Sequence, residues 1–271
     1  IAGHIGDMTS IETIFSFKNL LKKIGSSNFD FREKKIYIDP TDKTNYIFNS
    51  SIQSIDESDL ILLIGVNPRH EATMVNARIR KAFVKNKIPV YSIGNPGDLT
   101  YDYTLLGEEV NDLKNIFDEK SEINKKLKYV KKPIFIIGES VLELNNSRYI
   151  LEKTKDFLIE NNFINENWNA LNILNQNAST VGAIDLGFYN IDKDNNFIFF
   201  DKLKNNEFKL LYLVGSDNFE IKKSDEFIIY QGSHGDKNAS IADVILPSPT
   251  YTEQNGLFEN LEGRIQECRK A

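Results

Sequence analysis

Three histidines, His4, His70 and His234, and one cysteine, Cys268, are the metal-seeking side chains of this sequence. Zinc is held by closely spaced pairs of such ligands, and none of these residues forms a pair. The sequence therefore nominates no metal ligand. A lone thiol also cannot hold an iron-sulfur cluster, which is built on several cysteines. Asp236, Asp243, Glu253, Glu259 and Glu262 suggest acid-base chemistry, but that chemistry needs two groups flanking one substrate. No spacing here places any two in that way. The run Tyr230-Gln-Gly-Ser-His-Gly-Asp236 is a polar turn after an apolar stretch, suited to a site or to a hydrogen-bonded corner. With no activated nucleophile in it, the corner is the favoured reading.

Three apolar stretches end in glycine, at Gly65, Gly138 and Gly215. Open parallel sheets bind ligands outside the carboxyl ends of their strands, where such glycines sit. None of the three belongs to a GxGxxG or GxxxxGK[ST] run, so neither a dinucleotide fingerprint nor a P-loop is present. Tight turns and close packing explain these glycines more simply. After Gly65, the segment Val66-Asn67-Pro68-Arg69-His70-Glu71 could offer a cation and helix amides to a phosphate, or could cap a helix and form an ion pair. We favour capping. No catalytic, cofactor-binding or metal residue is assigned, and Gly65, Asn67, Arg69, Glu71, Gly138, Gly215, Asp236, Asp243, Glu262 and Arg264 are expected to act structurally.

The elements that would position these residues alternate between strand and helix. Leu60–Ile64 is continuously apolar, as a strand covered on both faces must be. A helix is expected from His70 or Glu71 with Ala72, Val75, Ile79 and Phe83 buried, then a strand over residues 88–93, completing a βαβ unit. Pro133–Gly138 starts a second unit, with a helix over Ser147–Glu160, and Leu210–Val214 starts a third. Phe227–Gln231 and Ala242–Leu246 read as further strands, the latter a core strand closed by Pro247. Ser10–Ile24 reads as an amphipathic helix capped by Thr9 or Ser10 and ended by Gly25. The fold class is α/β, with repeated Rossmann-like βαβ units and mainly parallel sheets. Two lobes are expected, 1–132 and 133–271, dividing at Lys132-Pro133.

Helical spacing also joins Val110, Leu113 and Phe117, and then Ile123, Leu127 and Val130. Lys125, Lys126, Lys128, Lys131 and Lys132 crowd the end of that stretch. A solvated face is the plainer reading, and a docking patch for an acidic partner the sharper one. The net charge of -6 gives no overall attraction to nucleic acid. Apolar runs are far too short for a membrane span. The opening residues lack a secretory or transit signature, and the single cysteine fits a reducing compartment.

Specific motifs carry a resemblance. Asp59-Leu-Ile-Leu-Leu-Ile-Gly-Val-Asn-Pro-Arg-His-Glu-Ala72, Asn76-Ala-Arg-Ile-Arg-Lys81, Gly97-Asp-Leu-Thr-Tyr-Asp-Tyr103, Trp168-Asn-Ala-Leu-Asn-Ile-Leu174 and Ala183-Ile-Asp-Leu-Gly187 contribute. So do Ile228-Ile-Tyr-Gln-Gly-Ser-His-Gly-Asp236, Ile241-Ala-Asp-Val-Ile-Leu-Pro247, Tyr251-Thr-Glu253 and Asn260-Leu-Glu-Gly-Arg264. Over nearly the whole chain they resemble the molybdopterin-oxidoreductase-like C-terminal part of the large iron-sulfur subunits of respiratory complex I.

The resemblance implies an inherited cofactor-domain fold that no longer binds a molybdopterin dinucleotide and serves as scaffold in an NADH:quinone oxidoreductase. Iron-sulfur clusters would belong to a cysteine-rich N-terminal portion, this chain being a fragment of a longer subunit. Expected partners are the other hydrophilic-arm subunits. The location would be the matrix side of the mitochondrial inner membrane or, alternatively, the cytoplasmic side of a bacterial one. A surviving molybdopterin- or nucleotide-binding oxidoreductase module is the competing reading, and a soluble interaction protein a third. Related enzymes bring the tail near the cofactor cleft, so Arg264 is expected to make hydrogen bonds or ion pairs that close it.

Overall fold

The computed structural model describes residues 1–192, 196–234 and 237–271, the side chain of Asn115 excepted. The chain forms two compact units, one of residues 1–35 and 177–271 and one of residues 36–176. It begins in the first unit with β1 (Ala2–Ile5), α1 (Ile11–Lys23) and β2 (Phe29–Asp30). The second unit follows whole, as β3 (Leu60–Ile64), α2 (Pro68–Glu71), α3 (Thr73–Asn86), β4 (Val90–Ile93), β5 (Thr104–Gly107), α4 (Leu113–Phe117), α5 (Glu122–Leu127), β6 (Pro133–Gly138), α6 (Glu139–Leu142), α7 (Ser147–Glu160), β7 (Ile164–Asn165), β8 (Trp168–Asn169) and β9 (Leu171–Leu174). Return to the first unit adds α8 (Thr180–Asp185), α9 (Phe199–Lys204), β10 (Leu210–Val214), β11 (Phe227–Gly232), α10 (Lys237–Ile241), β12 (Val244–Pro247), β13 (Gly256–Glu259) and β14 (Ile265–Cys268).

The expected boundary at Lys132-Pro133 is thus corrected. It falls inside the second unit, where β3 and β6 pair in parallel from Leu60 opposite Pro133 to Ile64 opposite Ile137. A proline-started strand marks a chain turn, and only pairing reveals that it returns to the same sheet.

Each unit holds a five-stranded sheet, in order β12-β11-β10-β1-β2 in the first and β5-β4-β3-β6-β9 in the second. All pairings in both are parallel. The two orders are one topology entered at different points, with β10, β11, β12, β1 and β2 standing where β3, β4, β5, β6 and β9 stand. In the second unit the chain starts at the central β3, steps outward through β4 and β5, and crosses back to β6. The reversal makes a crevice outside the carboxyl ends of β3 and β6, and the equivalent place in the first unit lies between β10 and β1.

Every residue of β3 and β6 is buried, which explains their unbroken apolar sequences. The first unit's core gathers Ala2, Phe199, Phe208, Leu211, Leu213, Phe219, Ile228 and Tyr230. On α1, Ser10 caps the first turn by accepting from the Thr13 amide at 3.4 Å, and Ile14, Phe17 and Leu21 face inward. On α7, Ile150, Leu151, Thr154 and Leu158 are buried as their spacing predicts.

Two expectations change. Ala72 breaks the expected single helix into α2 and α3, and the buried stripe of α3 runs through Val75, Ile79 and Ala82 rather than Phe83. Residues 242–246 do not form a core strand either. β12 pairs only with β11, and its Val244, Ile245 and Leu246 are exposed, because an apolar strand at a sheet edge lacks neighbours on one side.

Candidate functional site

The two reversal crevices are where the sheets could bind a ligand. In the second unit, Gly65 has φ +55° and its carbonyl faces Gly138, where an added Cβ would lie 2.3 Å from that oxygen. Glycine is thus required on both sides of the crevice, by the left-handed backbone at Gly65 and by the close approach at Gly138. Ser140 then donates its hydroxyl to the Gly65 carbonyl. Two residues past Gly65, Asn67 caps α2, accepting from the amides of Arg69 at 3.1 Å and His70 at 3.3 Å. Glu71 returns the bond, accepting from the Asn67 amide at 2.6 Å. Its other oxygen accepts from the Gln176 amide group at 3.1 Å, while the Gln176 backbone donates to Glu139 at 2.8 Å.

Arg69 donates to the Asp98 carbonyl at 2.9 Å and to its carboxylate. The Thr100 amide and then Arg69 hold the Asp98 carboxyl below its ordinary range. The cation proposed for a phosphate is therefore matched by a carboxylate, and α2 is a single turn. Gly65, Asn67, Arg69, Glu71 and Gly138 thus meet at this crevice through capping bonds and close backbone approach.

The first unit repeats the glycine pair. Gly215 has φ +59°, and a Cβ on Gly6 would come within 1.6 Å of the Gly215 carbonyl oxygen. The crevice here is a cavity of about 300 Å³ whose lining includes Asp7, Thr9, Asp217, Ser233, His234 and Tyr251. Burial and the neighbouring Asp217 carboxylate push the Asp7 carboxyl up, with the Asn218 side chain opposing at 3.3 Å. The Tyr230 hydroxyl lies within hydrogen-bond distance of the Asp217 carboxylate and of the His234 carbonyl, the latter at 2.7 Å. Ser233 Oγ is 2.8 Å from His234 Nδ1. Both residues are exposed, and no carboxylate among the described residues orients the imidazole. They do not form an activated nucleophile.

A second histidine is buried beside this crevice. His4 Nδ1 is 2.6 Å from Ser216 Oγ and Nε2 is 2.9 Å from the Arg32 carbonyl, with the ring stacked on Phe219 at 3.9 Å between centroids. Burial pulls its pKa down to about 4, against smaller opposing pulls from the Arg32 carbonyl and Asp30. The imidazole is neutral, donating to Arg32 and accepting from Ser216.

Among the described residues, the lining of the first unit's crevice does not include Asp243, Glu262 or Arg264. Asp243 pairs with Lys223 at 2.6 Å and accepts from the Ile228 amide at 2.8 Å, fixing the start of β11. Both bonds, the Lys223 bond chiefly, hold its carboxyl below the ordinary range. Glu262 and Arg264 lie in the β13–β14 hairpin, where the amides of both donate to Asn260 Oδ1. The Arg264 side chain is exposed and has no hydrogen-bond or ion-pair partner among the described residues. The expected closing role is corrected: the hairpin backbone is held by Asn260, so the guanidinium is left to solvent. Asp236 lies outside the described residues. Sequence reasoning missed Gly6, Asp7, Asp217, Glu139 and Gln176. Only Gly6 had a visible signal, the same strand-then-glycine step at Ile5-Gly6. Among the described residues, no group of three or more His, Cys, Asp or Glu is placed to hold a metal ion.

The family model for molybdopterin oxidoreductase matches residues 1–271. The chain is 39% identical, over all of its length, to the NADH-ubiquinone oxidoreductase 75 kDa subunit of Reclinomonas americana, covering 41% of that protein. It is 38% identical over 98% of its length to the mitochondrial NADH-ubiquinone oxidoreductase 78 kDa subunit of Candida albicans, covering 36% of it. It is 37% identical over 98% of its length to a subunit of the NADH-quinone oxidoreductase of Rickettsia conorii, covering 38% of it. The chain therefore spans well under half the length of these relatives.

Proposed function

Because the chain belongs to the molybdopterin oxidoreductase family, we propose that it is a noncatalytic structural part of the large subunit of an NADH:quinone oxidoreductase. The observation that carries this reading is the match along the whole chain to subunits of such oxidoreductases from both mitochondria and bacteria. The electron-carrying clusters would be held outside this chain. Its partners would be the hydrophilic-arm subunits, on the matrix or cytoplasmic side of the membrane. Among the described residues no helix is long and apolar enough to cross a membrane, in keeping with a peripheral place in the assembly.

The family name implies a molybdopterin group, and the residues present do not fit a phosphate-bearing form of it. Among the described residues, the lining of the first unit's crevice includes Asp7 and Asp217 and no lysine or arginine. A phosphate there would face carboxylates that already repel each other. In the second unit, Ser140 donates to the Gly65 carbonyl, and Arg69 is paired with Asp98. These features support a scaffold.

The test is purification of the oxidoreductase through a tag on this chain, followed by NADH:quinone assay and elemental analysis. We expect the chain to copurify with NADH-oxidising subunits and to carry no stoichiometric molybdenum. One tightly bound molybdenum per chain would overturn the noncatalytic reading, and failure to copurify would overturn the assembly reading.

A further inference from the structure

The protein has a net charge of -6, yet residues 120–132 contain six lysines and one carboxylate, Glu122. Within this basic run Tyr129 is 89% exposed. The ring is not carried on a loose segment. The amides of Lys128, Tyr129 and Val130 donate to the carbonyls of Asn124, Lys126 and Leu127 at 3.3, 3.0 and 3.0 Å. Asp59 then accepts from the Lys131 amide at 2.7 Å and the Lys132 amide at 3.0 Å. Ile123 and Leu127 bury the opposite side of α5. The backbone that presents Tyr129 is thereby held from both ends.

Two of the lysines are engaged within the unit. Lys126 donates to the Tyr91 hydroxyl at 3.1 Å and Lys132 to Glu57 at 2.6 Å. The ammonium groups of Lys125, Lys128 and Lys131 are exposed, and among the described residues they have no hydrogen-bond or ion-pair partner. A tyrosine exposed on a hydrogen-bonded segment of a lysine-rich run has the anatomy of an interface anchor, since tyrosine is enriched at binding hot spots and preorganisation lowers the entropic cost of association. Opposite charge supplies specificity and speeds encounter.

We propose that Tyr129, with Lys125, Lys128 and Lys131, is a docking surface for an acidic protein surface on a neighbouring subunit. The inference rests on the assembly role proposed above. A bilayer surface is a poorer match, because membrane-seating helices present a broad apolar face, and here the apolar face of α5 is buried. Nucleic acid is disfavoured by the charge of the whole molecule.

A carbodiimide, which joins lysine amines directly to carboxylates, tests the proposal on the purified oxidoreductase. The expected result is links from Lys125, Lys128 or Lys131 to Asp or Glu residues of another subunit. The double substitution Lys128→Glu and Tyr129→Ser should weaken retention of the chain in the assembly by roughly thirtyfold, with its melting temperature unchanged. Intact assembly in which these lysines acylate as fast as in the isolated chain would overturn this inference and leave the assembly role standing. Absence of the wild-type chain from the assembly would overturn both. Sedimentation of the chain with phosphatidylglycerol vesicles, lost in the double variant and accompanied by no intersubunit link, would replace the protein partner with a lipid surface.

Discussion

His4 couples the stability of the first unit to pH in a way that a single substitution isolates. The ring is fully buried on β1, bonded to Ser216 and the Arg32 carbonyl and stacked on Phe219. A proton on Nδ1 would turn an acceptor into a donor facing a hydroxyl, inside an apolar cluster. Burial accordingly lowers its pKa from 6.5 to about 4. The unfolded chain takes up this proton below about pH 6.5 and the folded chain does not, so stability falls as pH drops from 6.5 towards 4. That gap corresponds to about 3 kcal/mol of native stability lost across the window. His4→Gln keeps a donor and an acceptor but cannot titrate, and should cost about 1–2 kcal/mol at neutral pH through altered bonds and stacking. The assay is urea unfolding followed by far-ultraviolet circular dichroism at pH 7.5, 6, 5 and 4, on both proteins. Carboxylates common to both titrate alike, so the wild type should lose about 3 kcal/mol more than the variant between the extremes. Parallel pH curves, or an imidazole that titrates near 6 by nuclear magnetic resonance, would refute the reasoning.

Other substitutions test the crevices. Gly6→Ala places a Cβ 1.6 Å from the Gly215 carbonyl oxygen, and the forced backbone shift should cost about 3 kcal/mol or more, read as a fall in urea midpoint or in soluble yield. Asp7→Asn removes a carboxylate that burial and Asp217 disfavour. Because a raised folded pKa means stability present at low pH and lost as pH rises, the variant should melt higher than wild type at pH 7. The two should converge below about pH 4, with a gain of up to about 1 kcal/mol by calorimetry. Asn67→Ala deletes the cap of α2 and its bond to the Pro96 carbonyl, for a loss of about 1–2 kcal/mol. Arg69→Ala breaks only a solvent-exposed pair with Asp98 and should change stability by less than about 1 kcal/mol in the same thermal melts.

The sequence carried much of the local architecture. The unbroken Leu60–Ile64 and Pro133–Ile137 runs can satisfy their side chains only in strands covered on both faces, and both are so buried. Residues 147–160 repeat apolar side chains at helical spacing and form α7. The reciprocal cap of Asn67 and Glu71 was not legible, because the apolar spacing alone placed the helix start at His70 or Glu71, whereas Pro68 opens the turn and Asn67 caps it. Residues 242–246 misled for an equally physical reason. An apolar run states that a segment prefers burial, not that neighbours exist to bury it, and β12 ends up at a sheet edge.

What tertiary structure alone decided is the pairing of segments far apart in sequence. The first unit is completed by β10 joining β1 across more than two hundred residues, so no composition shift or linker at Lys132-Pro133 could reveal where the units divide. The glycines at strand ends were visible, but their pairing was not: Gly6 answers Gly215, and Gly138 answers Gly65. The charge balance of the first crevice likewise depends on Asp7 and Asp217, separated along the chain and brought together by adjacent strands. Residue type and periodicity set each strand, helix and cap, because those depend on neighbours within a turn or two. Strand order and the chemistry at the crevices were set by long-range backbone pairing, for which single-chain periodicity holds no record.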